Sequence, residues 1–338
     1  MQVDVTQVVF PRLNEVRTET TRQTFDLGPN DVVIRTLYSV VSAASEIAKV
    51  VGSQTVPFPF VPGNRAVGEV VAVGSAVEDV RVGQRIFSHT PHASYALASR
   101  VRLPLRHDVD LRTSPLVGLA MVGMTAVRVG QVELGDRVAV IGLGLVGNLT
   151  AQLLREAGAD VIAVDRVRRR LELARACGVP QTIDAAATDL EHAVMELTDG
   201  RGVDVVVEAS GTPQAAEVAA RLTGKRGEGV VVLLGSPRAD YETNLTPFLN
   251  QVHLWRGGMV TLRGAHEWRY PLHHTPFQKH SMQRNGEVAL RLMAEGKLRL
   301  DPLVERVYRP AEAAAAFAEL MRGPAAPLGV LFDWTAEG

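Results

Sequence analysis

Three glycines at fixed spacing carry the clearest sign of chemistry in this sequence. They lie in the segment GLGLVG, which follows the apolar run Arg137–Ile141 and precedes a helical pattern. Gly142 permits the tight turn, Gly144 lets the backbone approach a pyrophosphate, and Gly147 lets the helix pack close to the sheet. The N–H groups at the start of that helix attract phosphate. This context predicts a dinucleotide-binding site; the alternative is a glycine turn that binds no nucleotide.

An acid at the end of the next apolar run bears on which dinucleotide is bound. Asp165 lies 23 residues after Gly142, close to the spacing of about 20 at which a carboxylate accepts hydrogen bonds from the adenosine ribose. A carboxylate there repels a 2′-phosphate, so we expect NAD. A guanidinium can hold that phosphate, so NADP stays the less favoured alternative because of the arginines nearby. These are Arg166, Arg168, Arg169 and Arg170.

The composition excludes several classes of protein. Of the 338 residues, 46% are hydrophobic, which is enough for packed cores and argues against disorder. Lys and Arg total 36 against 37 Asp and Glu, so no basic excess favours a nucleic-acid partner. The single cysteine, Cys177, rules out a disulfide framework and a cysteine-rich zinc site. No apolar run reaches the roughly 18 residues of a membrane helix, and the first residues do not resemble a signal peptide. We expect a soluble, cytoplasmic protein with no membrane partner.

The chain changes its pattern twice, at about residue 114 and at about residue 266. Residues 1–113 contain short β-branched runs separated by Gly and Pro, with a hairpin predicted around Ser75–Asp79. Residues 114–265 alternate apolar strands with helices, which predicts a doubly wound parallel sheet of the Rossmann type. Residues 266–338 return to mixed elements and complete the first domain. The predicted fold class is α/β, with a Rossmann nucleotide domain and a β-rich catalytic domain.

The periodicity predicts the following elements. The strands are Val32–Tyr38, Gly68–Val73, Arg85–His89, Arg137–Ile141, Asp160–Val164, Gln181–Ile183, Val203–Glu208, Gly229–Leu234, Met259–Leu262, Leu303–Tyr308 and Gly329–Phe332. The helices are Leu116–Val129, Gly147–Ala157, Arg168–Ala176, Leu190–Leu197, Gln283–Glu295 and Ala311–Met321.

Four motifs make the sequence resemble a known family. They are VPGNRAVGEV at residues 61–70, VRVGQRI at 80–86, LGDRV at 134–138 and IGLGLVG at 141–147. Together with the order of the domains, they resemble the medium-chain dehydrogenase/reductase superfamily, in its alcohol and polyol dehydrogenase group, over nearly the whole chain. The resemblance implies a GroES-like fold for the β-rich domain, a nicotinamide cofactor, and hydride transfer to or from a small-molecule substrate.

The resemblance also implies further cofactor contacts and a subunit interface. Thr125 lies where a threonine packs against the nicotinamide, and Arg170 lies where a basic residue reaches the adenosine ribose. Residues 209–211 and 235–237 lie where backbone flanks the ribose and the nicotinamide. Residues 255–264 lie on the strand through which such proteins form homodimers or homotetramers. With the glycine motif, the predicted cofactor-binding residues are Gly142, Gly144, Leu145, Val146, Gly147, Asp165, Arg166, Arg170, Thr125, Ala209, Ser210, Gly211, Gly235 and Ser236.

The zinc ligands of the family are missing from this sequence. None of the side chains at the three positions that the resemblance assigns to catalytic zinc is a competent ligand, and the four-cysteine structural zinc lobe is missing as well. We therefore expect no metal, with a rearranged site using His89, His92 and Glu46 as the alternative. The three positions are Ala43, Asn64 and either Gly118 or Met121.

In a site without metal, a side chain must exchange the proton of the alcohol. His92 lies in the segment SHTPHASY, which by resemblance borders the substrate cleft, and it is the first choice because histidine titrates near neutrality. Tyr95 is the second choice, and Ser45 matches the hydroxyl that relays the proton in zinc-dependent members. The predicted catalytic residues are His92, Ser45, Glu46, Tyr95 and Asn64.

Three of these side chains have plainer interpretations. His92 could be a loop histidine bonded to backbone. Glu46 could form an ion pair with Lys49 or Arg65. Asn64 could cap a turn rather than donate to a substrate oxygen.

The sequence therefore predicts an NAD-dependent, zinc-independent dehydrogenase. Its substrate is expected to be a secondary alcohol or ketone on a sugar, a cyclitol or another secondary-metabolite ring. Two alternatives stay open: an NADPH-dependent enoyl or quinone reductase, against which Asp165 argues, and a nucleotide-binding protein without catalysis.

Overall fold

The computed structural model describes residues 1–224 and 227–336. In this part of the chain no helix combines the length and the apolar character needed to cross a membrane. The described residues form two compact units.

The two units are discontinuous in sequence. The first unit contains residues 1–118, 270–295 and the chain from Leu303 onward, and the second contains 119–269 and 296–302. The domains expected from the sequence differ from these units at three short segments, which are 114–118, 266–269 and 296–302.

The strands and helices are numbered separately along the described chain. The strands are β1 Gln2–Val9, β2 Arg17–Thr24, β3 Val32–Val40, β4 Ala66–Val73, β5 Arg85–Ser88, β6 Tyr95–Leu97, β7 Arg102–Pro104, β8 Arg137–Ile141, β9 Asp160–Asp165, β10 Gln181–Asp184, β11 Val205–Glu208, β12 Val230–Leu233, β13 Thr261–Gly264, β14 Val304–Tyr308 and β15 Gly329–Asp333. The helices are α1 Ala43–Val50, α2 Val117–Gly130, α3 Leu145–Glu156, α4 Arg168–Ala176, α5 Leu190–Leu197, α6 Pro213–Leu222, α7 Leu245–His253, α8 Met282–Ala294 and α9 Ala313–Leu320.

The second unit is built on a parallel sheet with the strand order β10-β9-β8-β11-β12-β13. Successive residues of β8 alternate between two hydrophobic cores: Val138 and Val140 pack in one, and Ala139 and Ile141 pack in the other. Because neighbouring side chains of a strand point to opposite faces, both faces of the sheet are covered. The chain moves outward from β8 to β10 and then returns to β11, so the strand order reverses between β8 and β11. The predicted doubly wound parallel sheet is confirmed, and ligands of such sheets bind at this reversal.

The first unit is mainly an antiparallel β structure. Its larger sheet has the order β14-β15-β3-β4-β5-β7, β6 pairs with β3, and β1 and β2 form a separate hairpin. The predicted antiparallel pairing across residues 75–79 is confirmed, since β4 and β5 run antiparallel. Phe10, Phe317, Phe332 and Trp334 are buried in one core although they are far apart in sequence. This core holds β3, α1 and the chain after β15 in fixed positions.

Several elements are absent from the sequence prediction or differ from it. The hairpin β1–β2 and the helices α1, α6 and α7 were not predicted; β2 has the sequence RTETTRQT, with no apolar face to reveal a strand. The prediction of a strand over residues 255–264 is wrong for the first half of that segment. Trp255–Gly257 is a 3₁₀ turn, Gly258 adopts φ +104°, and β13 begins only at Thr261. Because a glycine in the left-handed conformation interrupts a strand, the extended conformation begins only after Gly258.

Candidate active site

The glycine turn lies at the carboxyl end of β8 and opens α3, with Leu145 and Val146 as the first helical residues. Gly142 has φ +92°, and a Cβ there would lie 2.7 Å from the backbone nitrogen of Ser210. A Cβ on Gly147 would lie 1.8 Å from the carbonyl oxygen of Gly142. At Gly144, the N-cap of α3, a Cβ would meet nothing within 4 Å. Two glycines thus close the turn, and the third leaves open space at a helix N-terminus, which suits a pyrophosphate.

The Asp165 carboxylate lies at the end of β9 and is 7% exposed. Its Oδ2 accepts a hydrogen bond from the Leu143 backbone nitrogen at 2.7 Å, and its Oδ1 accepts one from Val167 at 2.8 Å. A terminal nitrogen of Arg170 lies 3.6 Å from Oδ2, while the side chain of Arg166 is exposed. Asp165 therefore holds the glycine turn in place. Each carboxylate oxygen has a second lone pair with which it can accept a ribose hydroxyl.

A second acid organises the loop after β11, and sequence reasoning did not select it as a site residue. Glu208 is buried, and its Oε1 accepts hydrogen bonds from the backbone nitrogens of Ser210 at 2.7 Å and Gly211 at 3.1 Å, and from the Ser210 hydroxyl. Burial raises the pKa of the Glu208 carboxyl, and the hydrogen bonds from Ser210 and Gly211 oppose that shift. A Cβ on Gly235 would lie 2.1 Å from the Gly211 nitrogen. The loops that carry the predicted residues 209–211 and 235–236 are therefore in contact.

Thr125 lies inside α2. Its side chain is buried, and its hydroxyl donates to the carbonyl oxygen of Met121 at 3.2 Å. That hydroxyl is used within its own helix, so the residue presents its methyl group for packing.

In the first unit, His92 is the centre of a buried polar network. The ring is 0% exposed; its Nδ1 lies 2.8 Å from the Ser39 hydroxyl, and its Nε2 lies 3.0 Å from Oε2 of Glu46. The Trp334 indole donates to the same Ser39 hydroxyl at 2.9 Å. Oε1 of Glu46 accepts the backbone N–H of Ser42 at 2.7 Å. The ring of His92 is therefore bonded to side chains rather than to backbone, and both of its nitrogens are occupied.

The network fixes α1, because Glu46 lies on that helix and His92 lies on the loop after β5. Gly63 packs against the histidine so closely that a Cβ there would lie 2.4 Å from the His92 backbone nitrogen. The Ser39 and Trp334 members of the network were missed from the sequence. The one available signal was a serine within the otherwise apolar end of β3.

Asn64 and Arg65 form a second polar group in this unit. Arg65 is 3% exposed, and its Nη1 donates to Oδ1 of Asn64 at 2.7 Å and to the Ser42 hydroxyl at 3.4 Å. Glu46 is bonded to His92, a partner that was not considered for it from the sequence. From the sequence, Arg65 is expected only as a partner for an acid; in the structure it also bonds to its own neighbour, Asn64.

The remaining predicted catalytic residues, Ser45 and Tyr95, are each partly exposed. Ser45 precedes Glu46 on α1, and Tyr95 lies on β6 opposite Arg35 of β3. The structure thus brings His92 and Glu46 into direct contact and places Asn64 against Arg65.

The residues at the zinc positions do not fit the metal. Ala43 and Gly118 carry no ligand atom, and the oxygen of Asn64 accepts from a buried guanidinium, which would repel a dication at the same place. Within residues 1–224 and 227–336, no group of three His, Cys, Asp or Glu side chains is arranged to hold a metal ion. The rearranged set of His89, His92 and Glu46 is therefore not assembled as a ligand group.

The sequence is similar to those of known dehydrogenases and oxidoreductases. The sequence of residues 28–103 matches the family model of the alcohol dehydrogenase GroES-like domain, and residues 146–273 match that of the zinc-binding dehydrogenases. D-guloside 3-dehydrogenase of Escherichia coli K12 is 31% identical over 141 residues, which is 39% of each chain. The Schizosaccharomyces pombe protein named "Probable quinone oxidoreductase" is 34% identical over 144 residues, 40% of this chain and 44% of that one. The aligned segments thus span less than half the length of these relatives.

Galactitol-1-phosphate dehydrogenase of Escherichia coli has the same fold, with a TM-score of 0.85 at 21% identity, over 97% of this chain and 99% of that one. A GroES-like β unit that precedes a doubly wound sheet with a GxGxxG turn is the domain arrangement of one superfamily, and both family models match in that order. The chain belongs to the medium-chain dehydrogenase/reductase superfamily, in its alcohol dehydrogenase-like group.

Proposed function

We propose that this protein is an NAD-dependent, zinc-independent dehydrogenase that acts on a secondary alcohol or ketone of a sugar, a cyclitol or a related ring. The observation that carries the proposal is the glycine turn at the start of α3, closed by Gly142 and Gly147 and held by Asp165. The similarity to D-guloside 3-dehydrogenase supports a polyhydroxylated substrate.

The residues predicted to bind the cofactor all belong to the second unit. The first-turn N–H groups of α3 would bind the pyrophosphate, and Asp165 would accept the adenosine ribose hydroxyls. A nicotinamide held there would supply the hydride acceptor: the alcohol carbon would lose its hydrogen with both electrons of the C–H bond, and the hydroxyl proton would leave to a base as the C=O bond forms. Residues 209–211 and 235–236 would flank the nicotinamide ribose, and Thr125 would pack against the ring. The buried Asp165 carboxylate supports NAD over NADP, and Arg166 and Arg170 are the residues that would hold a 2′-phosphate instead.

Zinc independence is supported by the buried Arg65 guanidinium, which donates to the amide oxygen of Asn64 and would repel a metal ion bound there. The proton of the alcohol then moves through side chains. Ser45 and Tyr95 are partly exposed residues, and their hydroxyls are the candidates to meet a substrate. Proton exchange by His92 stays a prediction, and its burial favours a part in holding Glu46 and α1.

A second candidate is a quinone or enoyl reductase, favoured by the 34% identity to the quinone oxidoreductase of Schizosaccharomyces pombe. Such an enzyme delivers hydride to an activated ring or double bond and would not oxidise polyols. The two candidates therefore differ in their substrates.

We also propose that the protein is a homodimer or homotetramer formed through β13. This strand is an edge of the sheet, with Leu262 and Trp255 exposed beside it, and an open edge strand with apolar side chains favours pairing with another chain. Sedimentation of the purified protein tests this: a Leu262→Glu variant should sediment as a monomer, and a wild-type monomer would contradict the proposal.

The activity is tested on the purified chain with NAD or NADP and a panel of polyols, sugars, cyclitols and quinones. We expect oxidation of at least one ring alcohol with NAD, in protein that contains less than stoichiometric transition metal. Turnover restricted to quinones and NADPH supports the second candidate, and stoichiometric zinc contradicts zinc independence. The Gly147→Ala variant is the control: it should lose cofactor binding, because its Cβ would collide with the Gly142 carbonyl.

A further inference from the structure

Arg65 is a buried cation held by contacts on several sides. Its Nη1 donates to Asn64 and to Ser42, at 2.7 and 3.4 Å. Its aliphatic stem packs under the start of α2, where a Cβ on Gly118 would lie 2.8 Å from the arginine Cδ and 2.6 Å from the ring of Phe87. Glycine at position 118 is therefore what leaves room for the arginine.

The contact with Arg65 fixes the orientation of the Asn64 amide. A guanidinium only donates hydrogen bonds, so the amide atom that faces it must be the oxygen. The two N–H groups of the amide then lie on its other branch, available to an acceptor. Because Asn64 is partly exposed, an acceptor outside the protein core can reach this side chain.

Charge on the arginine strengthens the amide as a donor. A cation at the amide oxygen draws electron density from the N–H groups, and hydrogen bonds in a chain polarise one another. A guanidinium keeps its charge over the whole working range of pH. The pair therefore presents a polarised donor with a permanent positive charge behind it.

We infer that Asn64 donates to the oxygen of the substrate and that Arg65 is the positioning residue that orients and polarises it. This inference rests on the proposed hydride transfer. When hydride reaches the carbonyl carbon, the π electrons of the C=O bond move onto oxygen, and that oxygen then takes a proton to complete the alcohol. The negative charge that develops on oxygen is where a preorganised donor has its largest effect on the rate. The pair stabilises this negative charge on the substrate oxygen, as a metal ion does in zinc-dependent dehydrogenases.

The test compares four variants of the full-length protein. Asn64→Asp keeps an acceptor for Arg65 but removes the two donor hydrogens; kcat/KM for ketone reduction should fall about 10²- to 10³-fold, with the melting temperature and the Kd for NADH unchanged. Arg65→Met should lower kcat/KM by about 10-fold or more. The control, Arg102→Met, removes a partly buried arginine of the same unit, one paired with Asp79, and should keep the wild-type turnover.

The Arg65→Lys variant supplies a readout that a purely structural role would not move. A buried ammonium loses its proton more readily than one in water, so its activity relative to the wild type should fall as the pH rises. The wild-type pH profile is the reference for the other ionisable groups of the first unit, which include Glu46, His92 and His89. A ratio that stays constant with pH would overturn the part assigned to Arg65, and full activity of Asn64→Asp would overturn the part assigned to Asn64.

A second measurement does not depend on turnover. Acetate presents a charged oxygen like that of the alkoxide, so it should raise the melting temperature of the wild type relative to chloride at equal ionic strength, and should not do so for Asn64→Asp. If the wild type transfers no hydride but responds to acetate, the proposed function fails and the donor pair stands. If it turns over and neither the variants nor acetate has any effect, the donor pair fails and the proposed function stands.

Discussion

Replacing His92 with phenylalanine should destabilise the first unit. An aromatic ring is kept, but Glu46, itself 2% exposed, loses the partner 3.0 Å from its Oε2, while the Ser42 N–H stays on its other oxygen. A buried charged group that loses its partner costs about 3–5 kcal/mol of unfolding free energy. The unit has roughly 180 residues, a size at which each kcal/mol shifts the melting temperature by about 2–4 °C, so the expected drop is about 6–20 °C.

The cause can be separated from a general loss of packing by a second substitution. In the double variant His92→Phe with Glu46→Gln, the buried carboxylate is gone while the amide oxygen still accepts from Ser42, so part of the lost stability should return. Thermal unfolding followed by tryptophan fluorescence reports on this core, since Trp334 is bonded to Ser39 within it. The reasoning is refuted if His92→Phe melts within about 2 °C of the wild type, or if the double variant is less stable than the single one. A single variant that keeps its melting temperature but loses turnover would support the acid–base role for His92.

Three further predictions concern the second unit. Because burial raises the pKa of Glu208 above its ordinary 4.5, its contribution to stability is full below that value and is lost as pH rises through the higher folded pKa. In thermal melts from pH 4 to 8, the melting temperature of Glu208→Gln relative to the wild type should therefore rise as the pH increases. That of Glu242→Gln, at an exposed position, should not. Burial also raises the pKa of the Cys177 thiol to about 11, so a thiol reagent at pH 8 should label the unfolded chain but not the native one; rapid native labelling would contradict this. Asp165→Ala should weaken NAD binding and reduce the preference for NAD over NADP. It should also loosen the turn at Leu143. Equal affinities of the wild type for NAD and NADP, measured by titration, would refute the cofactor assignment.

The second unit was the more predictable one, since its signals are local. The strands β8, β9, β11 and β12 are short apolar runs between turns, and the glycine motif identifies the point where β8 meets α3. The alternation of β8 side chains between two hydrophobic cores follows from the geometry of any strand covered on both faces. What the sequence did not indicate is that Asp165 also bonds the backbone of the glycine turn, because that contact joins residues 22 positions apart.

The polar groups of the first unit could not be assembled from the sequence. The bond between Trp334 and Ser39 joins residues 295 positions apart, and no periodicity links them. Charge alone suggested that Glu46 pairs with Lys49, three residues after it, or with Arg65, which lies in the motif of residues 61–70. The fold instead brings the loop that carries His92 onto α1, so the acid bonds to a histidine and the arginine to an amide. Complementary charge predicts that partners exist but does not identify them.

The His92–Glu46 network and the Asn64–Arg65 pair meet at one residue, Ser42, so a change in either group affects the other. Ser42 donates its backbone N–H to Glu46 and accepts a hydrogen bond from Arg65 on its hydroxyl, so the start of α1 is fixed by both groups. A histidine placed at position 64 would put a metal ligand beside the buried guanidinium, and a metal ion bound to it would be repelled by that guanidinium in a region of low dielectric. A metal site at these positions therefore needs the arginine to leave, and the room that Gly118 provides for its stem would then become a cavity beneath α2.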